Sequence, residues 1–305
     1  MQFNWKKFFA GTCLSLTLLL PQAQAAEPKP EQSAANWQLI RNAMELSSQQ
    51  KAFDSSLDTY ISIQAPEGKK LRLVITAKGS NQLSNQKKRV SHSTGTYEVL
   101  LELPGHRSNT YSGSFEEYSE GKDEKYTSYV KDGEGWTSRV TELEPEFFKD
   151  LCQRAQRYAE LVEGFADALL VGEKDGIAEI KLAPRPGAVL PDITELLKDK
   201  KSLDAWRQAR PFLADITPEN VEVHIFIDRK TGAMTGAVTS LGKWLQDELA
   251  LLSARPEIGS LPMLKDIDLR NLDCTLTLKT QLNPVPQNLV IKIPKEVKKA
   301  AKRNK

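Results

Sequence analysis

Short segments in which apolar and polar residues alternate recur along most of this chain, and they constrain its fold more than any other feature. The clearest is VEVHIFIDRKTGAMTGAV, residues 221–238. Ile225 and Ile227 share one side with the two valines before them, while the residues between them share the other. Alternation with period two places successive side chains on opposite faces of a strand, and Gly232 tolerates the positive φ of a tight turn. The segment therefore predicts a β-hairpin with one buried face.

The same alternation predicts further strands on both sides of this hairpin. They lie at residues 57–64, 71–76, 97–103, 175–184, 272–278 and 289–293. The turn sequence KDGEG, residues 131–135, precedes a returning strand at 136–140. The polar stretch SNQLSNQKKRVSHSTG, residues 80–95, is expected to be a connection between two strands. Strands joined by short polar segments favour an antiparallel meander.

Apolar residues at helical spacing predict three helices among these strands. They lie at residues 36–46, 148–165 and 243–252. The central one is amphipathic, and its apolar face includes Leu151 and Phe165. A meander of strands with helices between them predicts an α+β fold.

The N-terminus has the features of a secretory signal peptide. Lys6 and Lys7 precede an apolar run at residues 8–20, and Ala23-Gln24-Ala25 is a small-residue cleavage site. We expect cleavage near Ala25 and export across the plasma membrane, to the periplasm or the extracellular space. No second apolar run approaches the ~20 residues that cross a bilayer.

The remaining chain divides into three predicted parts. Residues 26–34 are polar and are expected to form a flexible leader, residues 35–294 a single domain, and residues 295–305 a basic tail. Removal of residues 1–25 takes away two of the 42 basic side chains and none of the 40 acidic ones, which leaves a neutral protein. Neutrality argues against a nucleic-acid partner, since nucleic-acid-binding domains normally carry an excess of positive surface charge.

Two cysteines, Cys152 and Cys274, remain after the signal peptide. In an oxidising compartment they predict a structural disulfide that joins the central helix to a late strand. Two separately buried thiols are the alternative. The sequence around each cysteine offers no histidine to activate a thiol enzyme.

No catalytic, metal or cofactor motif stands out. The chain has three histidines, His92, His106 and His224, and none belongs to an H-E-x-x-H motif. G-x-S-x-G and phosphate-loop patterns are also absent from the sequence. We therefore expect no enzyme activity, no cofactor and no metal. Convergence of one of these histidines with a carboxylate in a cleft would overturn that expectation.

Several segments together resemble a known superfamily. YVKDGEGW, VHIFIDRKTGAMTGAV and NLVIKIPKEVKKA follow, in that order, a helix that comes after a signal peptide. This arrangement resembles the LolA/LppX-like superfamily of bacterial lipoprotein carriers, which includes secreted or lipid-anchored relatives of unknown function. The resemblance implies a strongly curved antiparallel sheet, an incomplete half-barrel, with helices packed on its concave face. The extra residues around 184–211 and the lack of a matching client-contacting arginine depart from the true carriers.

The resemblance implies an apolar or lipidated ligand between sheet and helices. The candidate ligand-binding residues are Val99, Leu101, Phe148, Leu151, Phe165, Ile225, Ile227, Leu276 and Leu278. Plain core packing is the other interpretation of each. We expect a monomer that binds lipid or lipoprotein acyl chains without catalysis. The alternative is an extracytoplasmic protein-interaction or sensing module without lipid cargo, which would use the Ser-, Thr- and Tyr-rich strands at residues 110–129.

The basic tail allows two interpretations. Its six positive charges would be attracted to anionic lipid headgroups at the membrane surface, at about 1 kcal/mol per charge. Alternatively, the tail is a solubilising end without a partner.

Overall fold

A computed structural model gives the fold. It describes residues 30–66, 71–85, 89–103, 106–122, 125–132, 135–142, 160, 162–185, 221–253 and 268–303. In this part of the chain, each helix is too short or too polar to cross a membrane.

Eleven strands form a single antiparallel sheet in the described residues. The strands are β1 (Ala52–Gln64), β2 (Arg72–Asn85), β3 (Arg89–Glu102), β4 (Asn109–Lys122), β5 (Lys125–Asp132), β6 (Gly135–Glu142), β7 (Ala166–Lys174), β8 (Ile177–Pro184), β9 (Glu222–Asp228), β10 (Met234–Ser240) and β11 (Asp273–Asn283). Their order is β6-β5-β4-β3-β2-β1-β11-β10-β9-β8-β7. The first and last strands pair in the middle, and β6 and β7 are the edges of an open sheet. The prediction of an α+β fold built on antiparallel strands is confirmed at this level.

The helices are shorter in total than the strands. They are α1 (Pro30–Gln49), α2 (Gly242–Ser253), α3 (Lys295–Arg303), a 3-10 turn (Leu269–Asn271) and the helical residues 162–165. Helix α1 starts at Pro30, inside the segment expected to be a flexible leader. Proline is accepted there because the first helical turn does not use its backbone N–H.

The β9–β10 hairpin forms as predicted. The Asp228 carboxylate accepts backbone N–H bonds from Lys230 at 2.7 Å and Thr231 at 3.1 Å. The N–H groups of Thr231 and Lys230 lower the pKa of this carboxyl group. Gly232 has a φ of 72°, as its place in the turn requires.

The prediction of a connection at residues 80–95 is wrong. β2 continues to its end at residue 85 and β3 starts at residue 89, so most of this polar stretch is strand. Ser93 Oγ donates to Asn81 Oδ1 at 2.9 Å, and the hydroxyls of Ser80 and Thr94 are 2.9 Å apart. These strand ends are tied by hydrogen bonds between polar side chains, and they lack the apolar alternation by which a strand is recognised.

The strand predicted at residues 289–293 is also wrong. The chain after β11 is an irregular connection that runs back past the start of β1 and the end of β2 to α3. Ser84 Oγ donates to the Leu289 carbonyl oxygen at 2.6 Å, and Gln287 Oε1 accepts from the Lys51 N–H at 2.8 Å. Prolines at positions 284, 286 and 294 flank the segment, and proline cannot donate to a strand ladder.

The side chains of the sheet separate into two faces. We call the face that carries Ile180, Ile225 and Leu278 the core face, and the opposite one the outer face. The main core consists of Trp37, Ile40, Ala43, Val162, Phe165, Ala166, Ala168, Ile180, Leu182, Val221, Val223, Ile225, Ile227, Leu241 and Leu278. It joins α1 to the core face of β7–β11. A smaller cluster around Leu269 and Leu272 includes Leu249 of α2 and lies at the end of β1 and β11.

The basic C-terminal segment is folded at residues 295–303. Val297 and Ala301 of α3 are buried, and Ser138 Oγ of β6 donates to the Ala301 carbonyl oxygen at 3.5 Å. Ser138 lies on the outer face, since its row continues through Tyr129 and Tyr118. Helix α3 therefore packs on the outer face of β5 and β6.

Candidate functional site

The six predicted wall residues that lie on strands share the core face. The pairing register places Val99 opposite Ile75, Ile75 opposite Ile61, and Ile61 opposite Leu276. Directly paired residues project to the same side of a sheet, so this row crosses four strands on one face. Leu278 follows two residues after Leu276, and its row leads through β10 to β9. A mainly apolar face, which includes Thr239 on β10, thus extends from β3 to β9.

The wall residues differ in burial. Ile225, Ile227 and Leu278 are buried in the main core, whereas Val99, Leu101 and Leu276 are half-buried. Phe165 is buried in the same core, beside α1. Phe148 and Leu151 lie outside the described residues, and their place in a covering helix remains a prediction.

Aromatic rings cover glycines on the core face of β3 and β4. A Cβ atom on Gly95 would lie 2.2 Å from the Phe115 ring, and one on Gly113 would lie 2.4 Å from the Tyr97 hydroxyl. Only glycine allows these rings to lie against the strands. Tyr111, on the same face of β4, is 58% exposed. The place of these aromatic residues in the site was not predictable from the sequence, because it depends on glycines in neighbouring strands.

Helix α1 is fixed to the edge strand β7 by buried hydrogen bonds. Trp37 is 2% exposed, and its Nε1–H donates to the Ala166 carbonyl oxygen at 3.2 Å. Asn36 Nδ2 donates to the Ala168 carbonyl oxygen at 2.9 Å, and the Ala168 N–H donates to Ser33 Oγ at 3.0 Å. Helix side chains thereby pair backbone groups that a sheet edge leaves without a strand partner.

Helix α2 lies over the other part of the core face, near β11. The Leu241 N–H donates to the Leu276 carbonyl oxygen at 2.7 Å where the helix begins. Residues 242–251 include no fully buried side chain, and Leu251 is 48% exposed. Trp244 packs against the main core with its ring half-buried. Helix α2 is therefore less deeply embedded than α1.

The indole N–H of Trp244 is buried without a hydrogen-bond acceptor. Among the side-chain atoms in the described ranges, it is the one buried polar atom in this condition. An unsatisfied buried donor costs about 1–3 kcal/mol, and such groups in folded proteins call for an explanation. This residue was not predictable from the sequence, because a missing acceptor is a property of tertiary packing.

A charged network occupies the outer face of β8 and β9. His224 Nδ1 is 2.6 Å from Glu179 Oε1, and His224 Nε2 is 3.0 Å from Glu222 Oε1. Lys181 Nζ donates to Glu222 Oε1 at 2.5 Å. Burial alone would raise the pKa of Glu222, but the hydrogen bonds from Lys181 and His224 lower it.

The network bears on the expectation that the chain is not an enzyme. Convergence of a histidine with a carboxylate in a cleft would overturn this expectation, and His224 does meet two carboxylates. Both nitrogens of His224 already have carboxylate partners, Glu179 and Glu222, so neither is left to contact a substrate. The four side chains also lie on the face opposite the apolar wall. The arrangement has the form of a structural ion-pair ladder across two strands.

A second histidine lies near α3. The His92 ring stacks on Tyr118 with centroids 4.1 Å apart, and His92 Nε2 is 3.2 Å from Glu116 Oε1. Trp136 is tilted against Tyr118, with centroids 5.8 Å apart. Burial and then the charge of Glu116 raise the pKa of Tyr118. His106 is exposed in the connection before β4.

An ion pair joins α3 to β4 and β5. Lys298 Nζ is 2.6 Å from Glu120 Oε1 and 5.7 Å from the centroid of the Tyr129 ring. Tyr129 donates its hydroxyl to the same carboxylate at 2.9 Å. Burial, followed by this hydrogen bond, raises the pKa of Tyr129 to about 12. Lys298 is thus occupied within the fold, while Lys295 and Lys299 are exposed.

Cys274 is half-buried on the core face of β11 and has no disulfide partner among the described residues. Burial and the nearby Asp273 carboxylate raise its pKa to about 11. At neutral pH it is a protonated thiol and a poor nucleophile. Cys152 lies outside the described residues, so the disulfide remains a prediction. The described part of the chain has no cluster of histidine, cysteine and acidic side chains suited to a metal ion.

Comparison with known proteins gives structural neighbours. Neither a scan against protein-family models nor a search of curated proteins found a match. LprF from Mycobacterium bovis is 10% identical, and the similarity covers 87% of this chain and 99% of that one with a TM-score of 0.31. A DUF1329 family protein from Desulfovibrio piger is 11% identical over 86% of this chain and 95% of its own, with a TM-score of 0.24.

A LolA superfamily protein from Nitrosomonas europaea is also similar in structure. It is 10% identical over 84% of this chain and 96% of its own, with a TM-score of 0.19. The structural neighbours thus include a protein of the superfamily that the sequence resembles. Such low TM-scores carry no argument about ligand or activity, which must come from the chain's own residues.

Proposed function

We propose that this chain is an exported, non-enzymatic protein that binds a hydrophobic or lipidated ligand on the core face, between the sheet and its covering helices. The observation that supports this most is the continuous apolar row of Val99, Ile75, Ile61 and Leu276 across four strands. Each methylene of an acyl chain buried there would contribute about 0.8 kcal/mol to binding. In this proposal the half-buried Val99, Leu101 and Leu276 line the ligand and Phe148 and Leu151 cover it, with the sheet curved as an incomplete half-barrel and the protein monomeric. Ile225, Ile227, Leu278 and Phe165 continue the same wall into the main core, where they are packed against other side chains.

A test of the ligand begins with the protein purified from its own envelope. Native mass spectrometry and lipid extraction are expected to show acyl lipid or lipopeptide at a near-stoichiometric amount. A protein that is empty and also ignores added fluorescent fatty acids would contradict the proposal. The chain would then stand as a protein-interaction or sensing module of the same fold.

Two adjacent residues provide matched variants for the site. Val99 projects from the core face of β3, while Glu98 is exposed on the outer face. Val99→Glu places a negative charge in the apolar row and is expected to lower fatty-acid affinity at least tenfold, since it disrupts the apolar surface and repels the carboxylate. Glu98→Lys is expected to leave binding unchanged. Circular dichroism confirms that both variants fold. Equal affinity in the two variants would exclude the core face as the binding surface.

We also propose that α3 contacts an anionic membrane surface. The exposed Lys295 and Lys299 support this, at about 1 kcal/mol per charge near anionic lipid. Sedimentation with phosphatidylglycerol vesicles is expected to capture the protein, and the double variant Lys295→Gln/Lys299→Gln is expected to reduce capture. Lys279→Gln, at an exposed lysine of β11, is the control. Equal capture by phosphatidylcholine vesicles would contradict this contact.

A further inference from the structure

Trp244 places a hydrogen-bond donor without an acceptor at the edge of an apolar surface. Its ring packs against the main core, together with Leu276 and other partly buried side chains. Its Nε1–H is buried and has no acceptor in the described part of the chain. A water molecule needs several polar partners to be held at a buried position, and the main core that the Trp244 ring packs against consists of apolar side chains. The donor is thus suited to an acceptor that arrives attached to an apolar body.

Helix α2 is positioned to admit such a body. It follows directly after Leu241, which is hydrogen-bonded to Leu276, and Leu249 packs on the smaller cluster at the other end. Between these points, α2 contributes no fully buried side chain within residues 242–251. The row of wall residues that continues to Val99 starts at Leu276, directly where α2 begins. A chain entering between α2 and the core face would therefore run along this row.

We propose that the Trp244 indole N–H donates a hydrogen bond to the carbonyl or carboxyl oxygen of an acyl ligand whose chain lies between α2 and the core face. An ester, amide or carboxyl oxygen at the end of a hydrocarbon chain supplies the missing acceptor and buries apolar surface in the same step. Because Nε1 is fully covered without ligand, α2 moves away from the core face as the ligand enters. This inference rests on the proposed function and adds the residue that recognises the carbonyl or carboxyl oxygen of the acyl ligand.

Two tryptophan-to-phenylalanine variants test this assignment. Trp244→Phe removes the donor and keeps an aromatic ring, and Trp37→Phe removes an indole N–H that already has a backbone partner. Dissociation constants are measured for laurate, methyl laurate and dodecyltrimethylammonium, which lacks an acceptor oxygen. Trp244→Phe is expected to weaken laurate and methyl laurate about three- to tenfold, the range of one hydrogen bond. Dodecyltrimethylammonium binding is expected to stay within about twofold.

Each other outcome overturns the assignment in a distinguishable way. Equal weakening of all three ligands would give Trp244 a packing role only. Unchanged affinity for all three would mean that its N–H meets no ligand. A similar loss of laurate affinity in Trp37→Phe would reflect general loosening of the fold. If the wild-type protein binds none of the three, the proposed function fails together with this inference.

Discussion

Helices α1 and α2 both bring a tryptophan to the core face, and the two tryptophans are in opposite conditions. Trp37 is buried, and its indole N–H is bonded to the Ala166 carbonyl oxygen. Trp244 is half-buried, and its indole N–H has no acceptor among the described residues. Satisfied polar groups rigidify a core, whereas an unsatisfied buried donor lowers the cost of opening. The difference indicates that α1 is a fixed part of the fold and α2 a cover that can open.

Removal of the two tryptophan rings is expected to give the largest difference in unfolding free energy between changes in α1 and changes in α2. Trp37→Ala is expected to lower the free energy of unfolding by about 3–5 kcal/mol, because a buried aromatic ring is lost from the core. Trp244→Ala is expected to cost less than about 2 kcal/mol, since its ring is only half-buried. Urea denaturation measures both. Equal losses would show that α2 is as deeply embedded as α1.

A buried amide gives the next largest effect. Asn36 is buried and donates to the Ala168 carbonyl oxygen of β7. Asn36→Ala is expected to lower the free energy of unfolding by about 1–3 kcal/mol, because that carbonyl loses its partner. Asn42→Ala, at an exposed site on the same helix, is the matched control and is expected to stay within about 0.5 kcal/mol. If both variants behave alike, the bond from α1 to β7 contributes little.

The charged network on the outer face of β8 and β9 predicts that the stability of the fold depends on pH. The folded protein holds the pKa of Glu222 below its ordinary value of 4.5. Its stabilising contribution is therefore complete above pH 4.5 and disappears as the pH falls through the lower, folded-state pKa. The side chain is 40% exposed, so solvent screening limits the effect to about 1 kcal/mol or less.

Glu222→Gln tests this dependence. Unfolding of the variant and the wild type is compared between pH 7 and pH 3, and their difference is expected to shrink as the pH falls. A constant difference across this range would mean that the carboxylate charge is not the stabilising feature.

The smallest expected effect compares the two indole N–H groups directly, because only the N–H is removed while an aromatic ring is kept. Trp244→Phe is expected to change the free energy of unfolding by less than about 0.5 kcal/mol without ligand, because the lost ring contacts are offset by removal of an unpaired donor. Trp37→Phe is expected to cost about 1 kcal/mol, the contribution of one hydrogen bond. Thermal unfolding at fixed pH compares them. A larger loss in Trp244→Phe would reveal a partner for its N–H.

Sequence alone predicted the elements whose signals are local. The β9–β10 hairpin was predictable because strict alternation and the turn glycine Gly232 lie within one short segment. The two wall residues on each of β3, β9 and β11 share a face for the same reason, since period two is a local property. The pairing register between strands then brings the three pairs to the same face of the sheet. Which of them are buried was not predictable, because burial depends on the helix that packs above each strand.

Other features depend on contacts between distant parts of the chain. The edge strand β7 has no clear alternation in ADALLVGEK, and α1 completes its hydrogen bonds from more than a hundred positions earlier. The polar ends of β2 and β3 carry hydroxyl and amide pairs in place of apolar alternation. The unpaired donor of Trp244 exists only in the folded state. For these reasons, the most informative residue of the site was not accessible to sequence analysis.

Hydrogen–deuterium exchange of α1 and α2, with and without laurate, tests the account most directly. Local opening exposes backbone amides, so a cover that opens exchanges faster than a fixed element. Without ligand, α2 amides are expected to exchange faster than α1 amides, and laurate is expected to slow exchange in α2 while leaving α1 unchanged. Equal protection of the two helices, or no response of α2 to laurate, would contradict the claim that a ligand is held between α2 and the core face.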